Sequence, residues 1–150
     1  MFAATVEATY LYGKQFAAKI DLQLASPTVI CLYGTLGAGK TSFVKGFSSA
    51  FGIDATTVSS PTFQYLNIYK NKDESAAIFH FDLYRLHSAD DFLEMGFDEF
   101  LHLSKSDCRS IVCIEWAERL QGKEILPSKV YKVQLSHHND GRIIEVLWIF

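Results

Sequence analysis

Thr28-Val29-Ile30-Cys31-Leu32-Tyr33, followed at once by Gly34-Thr35-Leu36-Gly37-Ala38-Gly39-Lys40-Thr41, decides the architecture. The first six residues form a short, largely apolar run, as in a strand buried on both faces. The next eight match G-x-x-x-x-G-K-[ST] in full. Phe43, Val44, Phe47 and Phe51 then mark one face of a helix, and Gly52 is a natural stop. A glycine-rich loop between a buried strand and a helix is a cradle for phosphates. Glycines adopt unusual dihedrals and remove the Cβ atoms that would block a close approach. Successive N–H groups then form an anion nest, and the helix adds its positive end. Residues Gly34 to Ser42 are therefore candidate nucleotide-binding residues. Lys40 is placed for the β- and γ-phosphates, and the Thr41 hydroxyl for Mg²⁺. With Gly at ~7% of residues, a chance match arises in roughly one chain of this length in a few hundred.

Outward from this unit the pattern is mixed. Ala8, Tyr12, Phe16 and Ile20 recur every four residues and predict an amphipathic helix, which Ser26-Pro27 follows as a break. Residues 53–62 carry Thr, Ser and Pro and are expected to form a loop. Phe63 to Tyr69 and Ala76 to Phe81 predict a hairpin around Asn71 to Glu74. Ser88 with Asp91 resembles a capping box for a helix that Gly96 ends, and Phe97 to Leu103 predicts a further helical turn. Ile111 to Ile114 is a second buried-strand run. Lys129 to Gln134 and Ile143 to Ile149 predict a closing hairpin around Asn139-Asp140-Gly141. The fold class implied is α/β, a P-loop NTPase-like three-layer sandwich with a mixed, partly antiparallel central sheet. It is expected to form a single domain over residues 1–150.

A phosphate loop of this kind needs an acid at the end of a neighbouring strand to hold Mg²⁺ or orient water. Two candidates follow strand runs: Asp82 after Ile78 to Phe81, and Glu115 after Ile111 to Ile114. Which of them orients the water stays open. Arg85 either reaches a phosphate or pairs with Asp82. Trp116 is either a core aromatic or a lid or partner contact. Asn71-Lys72-Asp73-Glu74 begins like the guanine-reading N-K-x-D box but ends in Glu within a predicted turn. No D-x-x-G motif occurs, so ATP is the expected nucleotide.

The chain has 14 basic and 17 acidic residues and a net charge of −3. Its basic residues are scattered, which argues against direct grip on nucleic acid. An apolar share of 49% argues against disorder, and a chain this size buries about 70% of its unfolded surface. No apolar run is long enough for a membrane span, and no secretory signal is recognisable. Cys31 and Cys113 lie in apolar runs as core thiols. Three cysteines without regular spacing suggest a reducing, cytosolic setting. His137-His138 is expected to be solvated.

Leu36 to Thr41, Ser60-Pro61-Thr62-Phe63, His80 to Leu86, Met95-Gly96 and Ile114-Glu115-Trp116 together resemble the TsaE (YjeE) family, P-loop ATPases of bacterial threonylcarbamoyladenosine biosynthesis. The segments occur in family order over about residues 5–120. The resemblance implies catalytic roles for Lys40, Asp82 and Glu115, and Mg²⁺ held by Thr41 and Glu115. It implies nucleotide contacts for Thr9 and the phosphate loop, and a switch-like loop at Ser60 to Phe63. It further implies a cytoplasmic, monomeric ATPase, slow alone, that acts with a TsaB–TsaD heterodimer and touches tRNA only indirectly. Two departures are visible: Thr35 stands where the family usually has an acid, and Ala117 where it commonly has Pro. A small phosphotransferase and a non-catalytic nucleotide-gated module use the same loop, but no arginine-bearing lid is evident.

Overall fold

A computed structural model describes residues 1–20, 27–104 and 108–149; Ser26 of the predicted break lies outside them. The strands are β1 (Phe2–Ala3), β2 (Thr28–Tyr33), β3 (Leu66–Lys70), β4 (Ala76–Asp82), β5 (Arg109–Glu115), β6 (Val130–His138) and β7 (Gly141–Ile149). They form one sheet in the order β1-β7-β6-β2-β5-β4-β3. β2 runs parallel to both β5 and β6, and β4 parallel to β5. The outer pairs β3–β4, β6–β7 and β1–β7 are antiparallel. β2 is thus paired along both edges, and its residues 28–32 are buried on both faces, which is why it reads as a continuous run.

The pleat divides the core in two. Ile30, Leu32, Ile78, Ile111 and Cys113 face Phe16 of α1 (Val6–Lys19) and Phe43 and Phe47 of α2 (Lys40–Ser49). Val29, Cys31, Phe81, Val112 and Ile114 face Phe92 of α3 (Ala89–Glu94), together with Leu101 and Leu120 from the 3-10 turns Phe97–His102 and Ala117–Leu120. This is the mixed α/β sandwich expected. Burial also pushes the Cys31 thiol up to about 12, so it is an inert core group. Among the described residues, no helix is long and apolar enough to cross a membrane.

Several boundaries differ from expectation. The strand expected from Phe63 begins at Leu66, because Pro61 O accepts from Gln64 N and Tyr65 N and closes a turn. Tyr65, at φ 63°, then sits in the left-handed region, outside extended backbone. The closing hairpin is longer than predicted, since His138 pairs with Gly141 and Asn139-Asp140 alone make the turn. β1 and the 3-10 turn after Trp116 are short elements without a periodic signal. The Ser88–Asp91 capping box forms as expected.

The two long helices meet on glycines. A Cβ at Gly46 of α2 would overlap Tyr10 O of α1, and one at Gly13 would overlap Phe43 O. On an exposed helix Gly→Ala gains about 1 kcal/mol. Here overlap reverses the sign: Gly46→Ala is expected to destabilise the chain by about 1–3 kcal/mol in urea denaturation.

Candidate active site

The predicted site residues converge at the C-terminal ends of β2, β4 and β5, where open α/β sheets place ligands. Gly34 leaves β2 at φ 141°, and a Cβ there would overlap Leu135 O of β6. Ala38 N then donates to Thr35 O at 3.2 Å and closes the loop. Gly39, at φ 101°, leads into α2 with no side-chain cap. The first-turn N–H groups of α2 are therefore left for a ligand.

Lys40 is 4% exposed. Its Nζ donates to Gly34 O at 2.5 Å and Thr35 O at 3.0 Å, and lies 3.8 Å from the centroid of the Trp116 ring. Burial pushes its pKa below the ordinary lysine value, against the opposing charges of Glu115, Glu118 and Asp82. Thr35 thus takes part through its carbonyl, a role that any residue there would fill. Trp116 sits at φ 60°, half-buried, with its ring 4.9 Å from that of Tyr84. It packs on the second core and also lines the cavity described below.

Asp82 and Glu115 end neighbouring parallel strands and stand opposite each other, each 3% exposed. Glu115 Oε1 accepts from Thr41 Oγ1 and from His80 Nε2, both at 2.8 Å. Asp82 Oδ2 accepts from Ser60 Oγ and, at 3.0 Å, from Thr62 Oγ1, while Oδ1 accepts from Tyr84 N at 2.9 Å. The 59–62 loop is therefore fastened to one of the two acids. Its other end is held by Tyr69, whose hydroxyl donates to Ser59 O at 3.0 Å and accepts from Ser59 N at 3.1 Å.

These groups surround a cavity of about 410 Å³, lined by Leu36 to Ser42 with Ser60, Thr62, Asp82, Tyr84, Glu115, Trp116 and Arg142. Gly34 and Thr35 line an adjoining groove on which Trp116 also borders. Thr9 does not line the cavity but is bonded to a residue that does: Arg142 Nη1 donates to Thr9 Oγ1 at 3.1 Å. Sequence reasoning missed Arg142, which comes from β7 to lie against Gly39. It also gave His80 no role, although a histidine two residues before Asp82 on one strand must share its face. Arg85 is exposed and stacks on the Phe63 ring at 4.0 Å; among the described residues it makes no ion pair with Asp82. His137 is exposed as expected, yet its Nε2 donates to Leu36 O at 3.3 Å and so steadies the loop. A separate cavity of about 530 Å³ beside Tyr33, Leu126 and Leu147 contains none of these groups.

The donor set suits a hard divalent cation. Thr41 Oγ1 and Glu115 supply oxygens. Among the described residues no group of three or more His, Cys, Asp or Glu forms a cage, so the protein alone does not fill such an ion's shell, and water or ligand oxygens would complete it.

The family described as threonylcarbamoyl adenosine biosynthesis protein TsaE matches residues 4–144. The tRNA threonylcarbamoyladenosine biosynthesis protein TsaE of Haemophilus influenzae is 36% identical over 138 residues, covering 91% of this chain and 80% of that protein. That of Bacillus subtilis is 34% identical over 124 residues, covering 82% and 71%. The crystal structure of Bacillus subtilis YdiB superimposes with a TM-score of 0.65 at 24% identity, covering 99% of this chain and 83% of that one, which shows the shared fold.

Asp82→Ala removes the acceptor that Ser60, Thr62 and Tyr84 N share. Hydrogen–deuterium exchange of the variant is expected to rise at residues 59–64 and at Tyr84, with the α1–α2 core unchanged.

Proposed function

This chain belongs to the TsaE family, and from that premise we propose that it is a Mg²⁺-dependent ATPase that sustains threonylcarbamoyladenosine modification of tRNA. One observation carries the reading: Lys40 is held on two loop carbonyls beside a buried pair of acids, at an uncapped helix start. Lys40 would exchange those carbonyls for phosphate oxygens, while the loop amides and the start of α2 bind the rest of the polyanion. Arg142 brings a second cation beside Gly39. Thr41 and Glu115 would hold Mg²⁺, which supplies positive charge to the phosphate oxygens.

Glu115 is already committed to Thr41, so Asp82 is the acid we assign to orient water. Its partners, Ser60 and Thr62, lie on the loop that faces the cavity. Water oxygen bonds to the γ-phosphorus, the bond from that phosphorus to the bridging oxygen breaks, and ADP, phosphate and a proton leave. ATP is favoured over GTP because Asn71 and its neighbours only shape the β3–β4 turn, where Asn71 Oδ1 accepts from Ala76 N at 3.0 Å. The chain would act as a single-domain cytoplasmic monomer with a TsaB–TsaD heterodimer, which would make the contact with tRNA.

Phosphate-release assays with and without TsaB–TsaD test this reading. The chain is expected to be slow alone and faster with the pair. Lys40→Ala should abolish ATP binding. Asp82→Ala should lower turnover by about 10²-fold or more while ADP still binds. Unchanged turnover in Asp82→Ala would remove that acid from the mechanism.

The lowered pKa of Lys40 adds a pH dependence. Below that pKa the free chain already carries the proton, and binding takes up none. Above it, bound phosphate restores the charged amine. ADP binding should therefore consume protons at alkaline pH and weaken as pH rises. Calorimetry in buffers of different ionisation heat measures the uptake.

A further inference from the structure

We propose that His80 is the positioning residue that keeps Glu115 set with one oxygen turned to the cavity; the inference rests on the reading of Thr41 and Glu115 as the protein ligands of the cation. His80 is completely buried and stands opposite Cys113 in the β4–β5 register, one step behind Glu115 on the same face. It does not line the cavity and reaches it only through Glu115. A carboxylate oxygen only accepts, so His80 Nε2–H is the donor to Oε1 at 2.8 Å. The other ring nitrogen, Nδ1, is buried and has no partner among the described residues. Among the described residues the imidazole therefore has a single polar contact, the carboxylate. An aliphatic side chain would fill an apolar core at lower cost than an imidazole with one nitrogen unsatisfied. The contact to Glu115 accounts for its presence.

The arrangement around Glu115 shows what that contact does. Oε1 takes both hydrogen bonds, from Thr41 Oγ1 and His80 Nε2. Oε2 has no hydrogen-bond partner among the described residues and is not among their fully enclosed, unpaired atoms, while Glu115 lines the cavity. Without His80, Thr41 alone among the described residues would hold the carboxylate, and the Thr41 hydroxyl is the group that a cation would engage. A glutamate has three side-chain torsions to fix. His80 fixes them from behind and leaves Oε2 available.

The test is the affinity of the intact chain for a fluorescent ADP analogue, measured across a Mg²⁺ titration. His80→Phe keeps the ring but removes the donor. It is expected to bind the analogue as the parent chain does without Mg²⁺, and to need about 10- to 100-fold more Mg²⁺ for the tightened state. His80→Gln places an amide near Nε2 and should retain most of the Mg²⁺ response. His80→Asn places it near Nδ1 and should resemble Phe. If His80→Phe does not fold, the Gln–Asn pair decides alone. A parental Mg²⁺ response in His80→Phe, or indistinguishable Gln and Asn variants, would overturn the inference. No Mg²⁺ response in the parent chain would overturn the assignment of Thr41 and Glu115, and this inference with it.

Discussion

The parallel pairing of β4 with β5 sets Asp82 directly beside Glu115, and the rest of the site is arranged around that buried pair. Two adjacent carboxylates, each 3% exposed, are costly unless their oxygens are satisfied. Each acid recruits a different part of the chain. Asp82 takes two hydroxyls from the 59–62 loop and the amide of Tyr84. Glu115 takes the first-turn threonine of α2 and a buried imidazole. Lys40 answers the same negative field although burial works against its charge. The loop, the helix start and the lysine are thus held by one electrostatic requirement.

The same requirement gives the overall charge a local meaning. A net −3 spread over a surface says little about partners. The charges of Glu115, Glu118 and Asp82 all act on the Lys40 ammonium, so negative charge is concentrated around that one lysine. Arg142 adds a second cation at the Gly39 and Thr9 side of the loop.

Local patterns made much of this legible. β2 and the phosphate loop stood out because a strand paired along both edges is apolar throughout, and because a phosphate cradle needs glycine and lysine at fixed spacing. Asp82 and Glu115 stood out as acids closing apolar runs. Tyr65 hid the true start of β3, because a left-handed tyrosine has no signature in composition. Arg142 could not be anticipated: it meets Thr9 across 133 residues through the β6–β7 hairpin, a contact set by topology alone. His80 was visible but silent, since a lone histidine in an apolar strand looks like any core residue until its neighbour is known. Trp116 reads from sequence as either core or site, and it packs against the core while bordering the cavity.

A crystal structure of the chain with a nonhydrolysable ATP analogue and Mg²⁺ tests the central claim most directly. The account predicts the triphosphate on the 34–42 loop, Lys40 moved from the Gly34 and Thr35 carbonyls to phosphate, and Mg²⁺ against Thr41 and Glu115. A nucleotide bound elsewhere, or a cation that ignores both residues, would contradict it.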